Sequence, residues 1–145
     1  MGDLDKSVVL SKLCGWLYLE TRQENGKQSE YVICNYPGQS QPWGIQKEAY
    51  SESLNGNAWQ RMTKNLYSQE NMALAWRVLN WATKNLDDKF PNWYDDSSGT
   101  YGYPITSFVE RSEFETWPPE KAQRAWLDLT LEFATKAGWP VGIPK

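Results

Sequence analysis

The dipeptide Asn25-Gly26 constrains this chain more than any other feature. It stands between two β-rich runs, Trp16–Arg22 and Ser29–Asn35. A two-residue type I′ hairpin turn needs positive φ at both central positions, and Asn-Gly adopts that conformation at the least steric cost. Such a turn fixes register as well as topology. Leu17 falls opposite Cys34 and Leu19 opposite Val32, both pairs on one face, while Tyr18 falls opposite Ile33 and Glu20 opposite Tyr31 on the other. The first face is expected to be the core side. The second is not fully polar, so it is expected either to lie under a helix or to serve for contact.

The rest of the chain supplies helices and irregular segments around that hairpin. Ser7–Trp16 reads as a short helix, with Val9, Leu10, Leu13 and Leu17 at helical spacing and Gly15 able to end it. Tyr36–Asn57, rich in Pro, Gly, Ser and Gln, reads as a long loop. Ser68–Lys84 is the strongest helix signal, with Ser68 as N-cap and Glu70 in the first turn. Met72, Ala75, Trp76, Leu79 and Ala82 form one apolar stripe and Leu74, Val78 and Trp81 a second, so this helix is expected to be central. Phe90–Pro104 reads as another loop and Ile105–Arg111 as a strand. Trp117-Pro118-Pro119-Glu120 opens a last helix whose stripe is Ala122, Trp126, Leu129, Phe133 and Ala137, and Gly138 with Pro140 ends it. The expected fold is α+β: one domain spanning residues 1–145, with a small antiparallel sheet (the hairpin plus at least one further strand) packed with three helices like an αβα sandwich.

Composition narrows function by exclusion. The chain has no histidine, which removes the commonest general base and the commonest transition-metal ligand. Its two cysteines, Cys14 and Cys34, are too few for a disulfide scaffold and too far apart in sequence for a paired metal motif, so both are expected to be reduced, buried thiols. The formal charge of −3 gives no basic field for duplex nucleic acid. No apolar run approaches the ~20 residues of a membrane span, and the first residues lack the basic and apolar regions of a signal peptide. A cytoplasmic protein with no membrane partner, no cofactor, no metal and no catalytic residue is therefore expected.

What the chain has in excess is aromatic surface: 9 Trp, 8 Tyr and 4 Phe. Trp76, Trp81 and Trp126 sit on helical stripes and are expected in the core. The candidate ligand-binding segment is Trp93, Tyr94, Ser97, Ser98, Gly99, Thr100, Tyr101 and Tyr103, with Arg111 beyond it and Lys89 before it. Tyr and Trp give rigid contact area at low entropy cost, Ser and Gly give adaptable hydrogen bonds, and the flanking cations would neutralise a phosphate. Equally, those aromatics would tuck back onto the core. Trp43, with Tyr36 and Tyr50, would complete the pocket or else close one end of the sandwich. The acid pairs Asp87-Asp88 and Asp95-Asp96 read as turn residues, because neighbours in an extended segment point apart and no second acid is placed by a motif.

Three stretches carry a family resemblance. Lys12-Leu13-Cys14-Gly15-Trp16, Tyr67-Ser68 followed by Ala73-Leu74-Ala75-Trp76-Arg77-Val78-Leu79, and Lys121-Ala122-Gln123-Arg124-Ala125-Trp126 through Ala134 resemble the phage αβα-sandwich domain, a family of small phage and prophage proteins. Cys14 stands where that family has Met, and Thr116-Trp117-Pro118-Pro119 replaces its small-residue lead into the last helix. The resemblance implies a phage origin and a sandwich fold, and carries over no catalytic residue. With the aromatic segment, it leads to the expectation of a non-enzymatic anti-defence protein in an infected bacterial cell. That protein would sequester a nucleotide-derived immune signal, with a homo-oligomer completing the enclosure. The alternatives are an inhibitor or accessory factor that binds a host defence protein through exposed aromatics, and a glycan-binding module.

Overall fold

The Asn25-Gly26 turn forms as its residue types require. In the computed structural model, which describes residues 2–47, 58–86 and 118–139, Asn25 has φ 53° and Gly26 φ 78°. Strands β1 (Leu17–Glu24) and β2 (Lys27–Cys34) pair antiparallel with Leu17 opposite Cys34, Leu19 opposite Val32 and Glu20 opposite Tyr31, the register set by the turn. A third strand, β3 (Trp43–Gln46), adds antiparallel to β2, giving the order β1-β2-β3. The class is α+β. β3 lies inside the segment expected to be a long loop. Its four residues are too few to show a period, and only pairing with β2 makes it a strand. The strand expected at 105–111 lies outside the described residues.

Helix α1 (Asp3–Leu13) begins before the expected start at Ser7, since Asp3 and Asp5 suit the positive end of the helix. Its end is a Schellman motif. Gly15, at φ 77°, donates from its N–H to Lys12 O at 3.0 Å, and Trp16 N–H donates to Ser11 O at 2.9 Å. Trp16 O then accepts Asn35 N–H at 2.8 Å, so the chain passes from helix stop into the sheet within one residue. A short helix, α2 (Ala58–Met62), raises the count above the three expected. Val8 of α1, Leu17, Val32, and Ala58 and Trp59 of α2 form one buried cluster, with Cys34, Ile45 and Met62 packed on it. Each fully buried Val or Leu there contributes roughly 1.5–3 kcal/mol.

Two assignments on the sheet change. Leu19, expected in the core, is 45% exposed, while Ile33 on the opposite face is buried. Val32, directly opposite Leu19 on the same face, is fully buried in the core cluster, so the exposure of Leu19 goes with its place on the outer strand β1. Tyr36, a candidate pocket residue, is buried. Its hydroxyl meets Ser11 Oγ at 2.8 Å and Thr63 Oγ1 at 3.0 Å, and accepts Lys64 N–H at 3.1 Å. Its ring packs on Trp16 with centroids 5.6 Å apart. Tyr36 is thus a pin joining α1 to the segment after α2.

These elements belong to the first of two compact units, the one built by residues 2–65; the second lies within Leu66–Val141. In the second unit, Ser68 precedes a single 3₁₀ turn (Gln69–Asn71) that leads into α3 (Met72–Leu86), and its side chain makes no capping bond. Helix α4 (Pro119–Lys136) starts on Pro118 and ends on a second Schellman motif, with Gly138 at φ 86°, Gly138 N–H on Thr135 O and Trp139 N–H on Ala134 O. Leu79 packs with Ala122 and Trp126, and Ala82 with Phe133. The contacts ascend together, so α3 and α4 run in the same direction. Trp126 is buried as its spacing predicts, and Trp81 is half-buried against Trp139. Trp76, also expected in the core, is exposed and lies edge-on against Trp126. Buried Gln123 donates to Leu66 O at 2.7 Å and Ser68 O at 2.8 Å, tying α4 to the lead into α3.

Candidate functional site

The alternation of β1 and β2 puts Tyr18, Glu20, Arg22 and Glu24 on one face with Lys27, Ser29, Tyr31 and Ile33, and β3 adds Gly44 and Gln46. This is the face whose mixed character left two readings open. Among the described residues no helix covers it, since α1 and α2 pack on the other side. Tyr18 is 38% exposed.

At its centre is a guanidinium laid over a ring. Arg22 Cζ stands 4.6 Å from the Tyr31 ring centroid, within cation–π range. Arg22 Nε donates to Glu20 Oε2 at 2.6 Å, and Tyr31 OH donates to Glu24 Oε1 at 2.8 Å. The Arg22 side chain is 48% exposed, so half of it remains available above the ring. The Glu20 hydrogen bond, foremost, raises the Arg22 pKa and keeps the group charged. Gly44 matters to this surface. A Cβ at that position would fall 2.7 Å from Ile33 Cδ1 and 3.7 Å from Arg22 Nη2, so the bare backbone lets Ile33 lie across β3. The result is a flat aromatic and guanidinium platform flanked by carboxylates. Its chemistry is stacking, cation–π contact and charge-assisted hydrogen bonding.

Of the sequence-predicted ligand residues, Trp43 is described. It opens β3 on the core-side face, opposite Cys34, and is 66% exposed, so it closes nothing. Trp93, Tyr94, Ser97, Ser98, Gly99, Thr100, Tyr101, Tyr103 and Arg111 lie outside the described residues, as do Lys89, Tyr50 and both acid pairs. Arg22 was missed by the sequence reading. Its signal was available: it follows Glu20 by two, and so shares a face with Tyr31 and Tyr18.

A second cationic feature lies by the core cluster. Lys12 Nζ stands 4.3 Å from the Trp59 ring centroid, and burial, followed by the nearby Lys47 charge, lowers the Lys12 pKa. Lys47 pairs with Glu30 at 3.3 Å. Trp59 Nε1 is buried and meets no acceptor among the described residues. Both thiols are free and half-buried rather than fully buried. Burial pushes Cys14 up to about 12, the opposite of nucleophile activation. Cys34 Sγ donates to Gln39 Oε1 at 3.7 Å. Among the described residues no group of three or more Cys, Asp or Glu is placed to hold a metal ion, and no helix is long and apolar enough to cross a membrane. Comparison with family models, with curated proteins and with solved structures finds no match to this chain.

Proposed function

We propose that this chain is a non-enzymatic binding protein whose working surface includes the open sheet face, and that it serves a phage by sequestering a nucleotide-derived immune signal in the cytoplasm of the infected bacterium. The carrying observation is the half-exposed Arg22 guanidinium stacked on Tyr31 beside exposed Tyr18. A base stacks on such a platform, and the guanidinium neutralises a phosphate that a carboxylate-rich surface would otherwise repel. The phage assignment rests on the sequence motifs around Trp16, Trp76 and Trp126. Isothermal titration calorimetry against cyclic dinucleotides and ADP-ribose derivatives tests the reading. Saturable heat that Arg22→Ala weakens at least tenfold is expected. The absence of heat at concentrations well above micromolar would overturn it.

One observation favours a second reading, an inhibitor or accessory factor that binds a host defence protein. Trp43 places an indole in solvent on an edge strand, the residue type and setting of an interface anchor. This reading expects a host protein captured from lysate by the wild type and lost with Trp43→Ser. Equal capture by both would refute it.

A further inference from the structure

Among the described residues β1 is an edge strand, and its outward side is long and regular. Asn35 N–H donates to Trp16 O, which fixes the parity of the β1–β2 ladder: Trp16, Tyr18, Glu20, Arg22 and Glu24 turn their backbone groups toward β2. Leu17, Leu19, Thr21 and Gln23 therefore turn their N–H and C=O groups outward. Among the described residues no strand meets them, and Tyr18, Leu19 and residues 21–24 are exposed. The other edge of the sheet is blunted, because β3 has four residues and follows Pro42. An open eight-residue edge is a template for another strand.

The charges on β1 select the partner. We infer that β1 pairs antiparallel with β1 of a second copy of this chain, about a two-fold axis through Thr21. In that register Thr21 faces Thr21 of the second copy, and Leu19 faces its Gln23; these positions carry the hydrogen bonds, about six in all. Glu20 then faces Arg22 of the second copy, and Arg22 faces its Glu20. Both pairs fall at non-hydrogen-bonded positions, where side chains approach most closely and opposite charges stabilise. Each Arg22 then lies between its own Glu20, already 2.6 Å away, and that of the second copy.

Neighbouring registers fail. An axis through Glu20 keeps as much strand overlap but sets Glu20 against Glu20. An axis through Arg22 sets Arg22 against Arg22 and Glu20 against Glu24. An axis through Leu19 shortens the overlap and leaves the charges unpaired. An axis through Gln23 pairs Arg22 with Glu24 but runs each strand into the turn at Asn25-Gly26, which leaves three residues in the ladder. Parity excludes the intermediate registers, which would oppose outward backbone groups to inward ones. The dimer is isologous, with a continuous sheet of order β3-β2-β1-β1-β2-β3 and both Arg22–Tyr31 platforms on one side. It forms whether or not that face binds a nucleotide.

Sedimentation velocity on the full chain tests this, from roughly 5 to 500 μM, because a strand-sized interface is expected to dissociate in the micromolar range. The expected mass rises with concentration from the 16.8 kDa of one chain toward twice that value. Glu20→Arg and Arg22→Glu, each folded by circular dichroism, should weaken dimerisation at least tenfold, and the double variant should restore it. Thr21→Pro tests the same edge without changing charge. The N–H it removes points away from β2, so the hairpin keeps its ladder while the dimer is lost. A monomer at the highest concentration overturns the inference. So does a single charge swap or Thr21→Pro that dimerises like the wild type, or a folded double variant that stays monomeric.

Discussion

Replacing Tyr36 with Phe removes one oxygen from the pin that holds the first unit together. The ring stays against Trp16, so the apolar contact is preserved and the hydroxyl alone is tested. Three groups lose a partner: Ser11 Oγ, Thr63 Oγ1 and Lys64 N–H. Ser11 is fully buried, so it forfeits close to a full buried hydrogen bond, about 1 kcal/mol, unless its hydroxyl turns to a carbonyl of its own helix. Thr63 is half-buried and Lys64 lies at the surface, so water recovers part of their loss, leaving about 0.5 kcal/mol each. The sum is a destabilisation of about 2 kcal/mol. Urea unfolding followed by far-UV circular dichroism measures it. With a slope of ~1–2 kcal/mol per molar the midpoint falls by about 1–2 M, and the slope itself is unchanged because the same surface is exposed. Ser11→Ala in the Tyr36→Phe background should add less than it does alone, since both remove one interaction. A Tyr36→Phe protein within 0.5 kcal/mol of wild type, on the order of the scatter for independent sites, would refute the pin.

Gly44→Ala should cost about 1 kcal/mol by turning Ile33 away from β3; in an Ile33→Val background, which lacks the Cδ1 atom in conflict, thermal melts should show it neutral. Gln123→Leu should destabilise by about 2 kcal/mol in urea titrations, because the Leu66 and Ser68 carbonyls each lose a donor. An equally stable Leu variant would show that the clamp contributes nothing. Cys14 makes stability fall at alkaline pH. Its folded pKa of about 12 lies above the ordinary 9.0, so its contribution is complete below pH 9 and is lost as pH rises toward 12. The limit of that loss is about 4 kcal/mol. Cys14→Ala should flatten the stability profile over that range, and an unchanged slope in the variant would exclude the thiol as its source.

The candidate site was only partly legible. The setting of Trp43 between Pro42 and Gly44 pointed more to closing one end of the sandwich than to a pocket, and the indole is exposed. The Arg22 platform was legible in part: the strand period puts Arg22 on one face with Tyr31, but its stacking on the ring depends on where a long side chain falls across neighbouring strands. The aromatic segment from Trp93 to Arg111 rests on composition alone.

Local chemistry determined one turn and two helix C-termini, though not the N-cap expected of Ser68. Asn25-Gly26 set the hairpin register residue by residue, and Gly15 and Gly138 set two helix ends, because the required φ values are properties of those residues. Amphipathic spacing likewise placed α3 and α4. Tertiary structure alone decided the rest. β3 exists because β2 offers it an edge. Leu19 is exposed on the outer strand although its partner Val32 is buried, Trp76 is exposed although it lies against buried Trp126, and Tyr36 is buried because Ser11 and Thr63 converge on it. Register and capping are energies of neighbouring residues. Burial is set by whatever the chain brings from a distance, and no period in the local sequence records it.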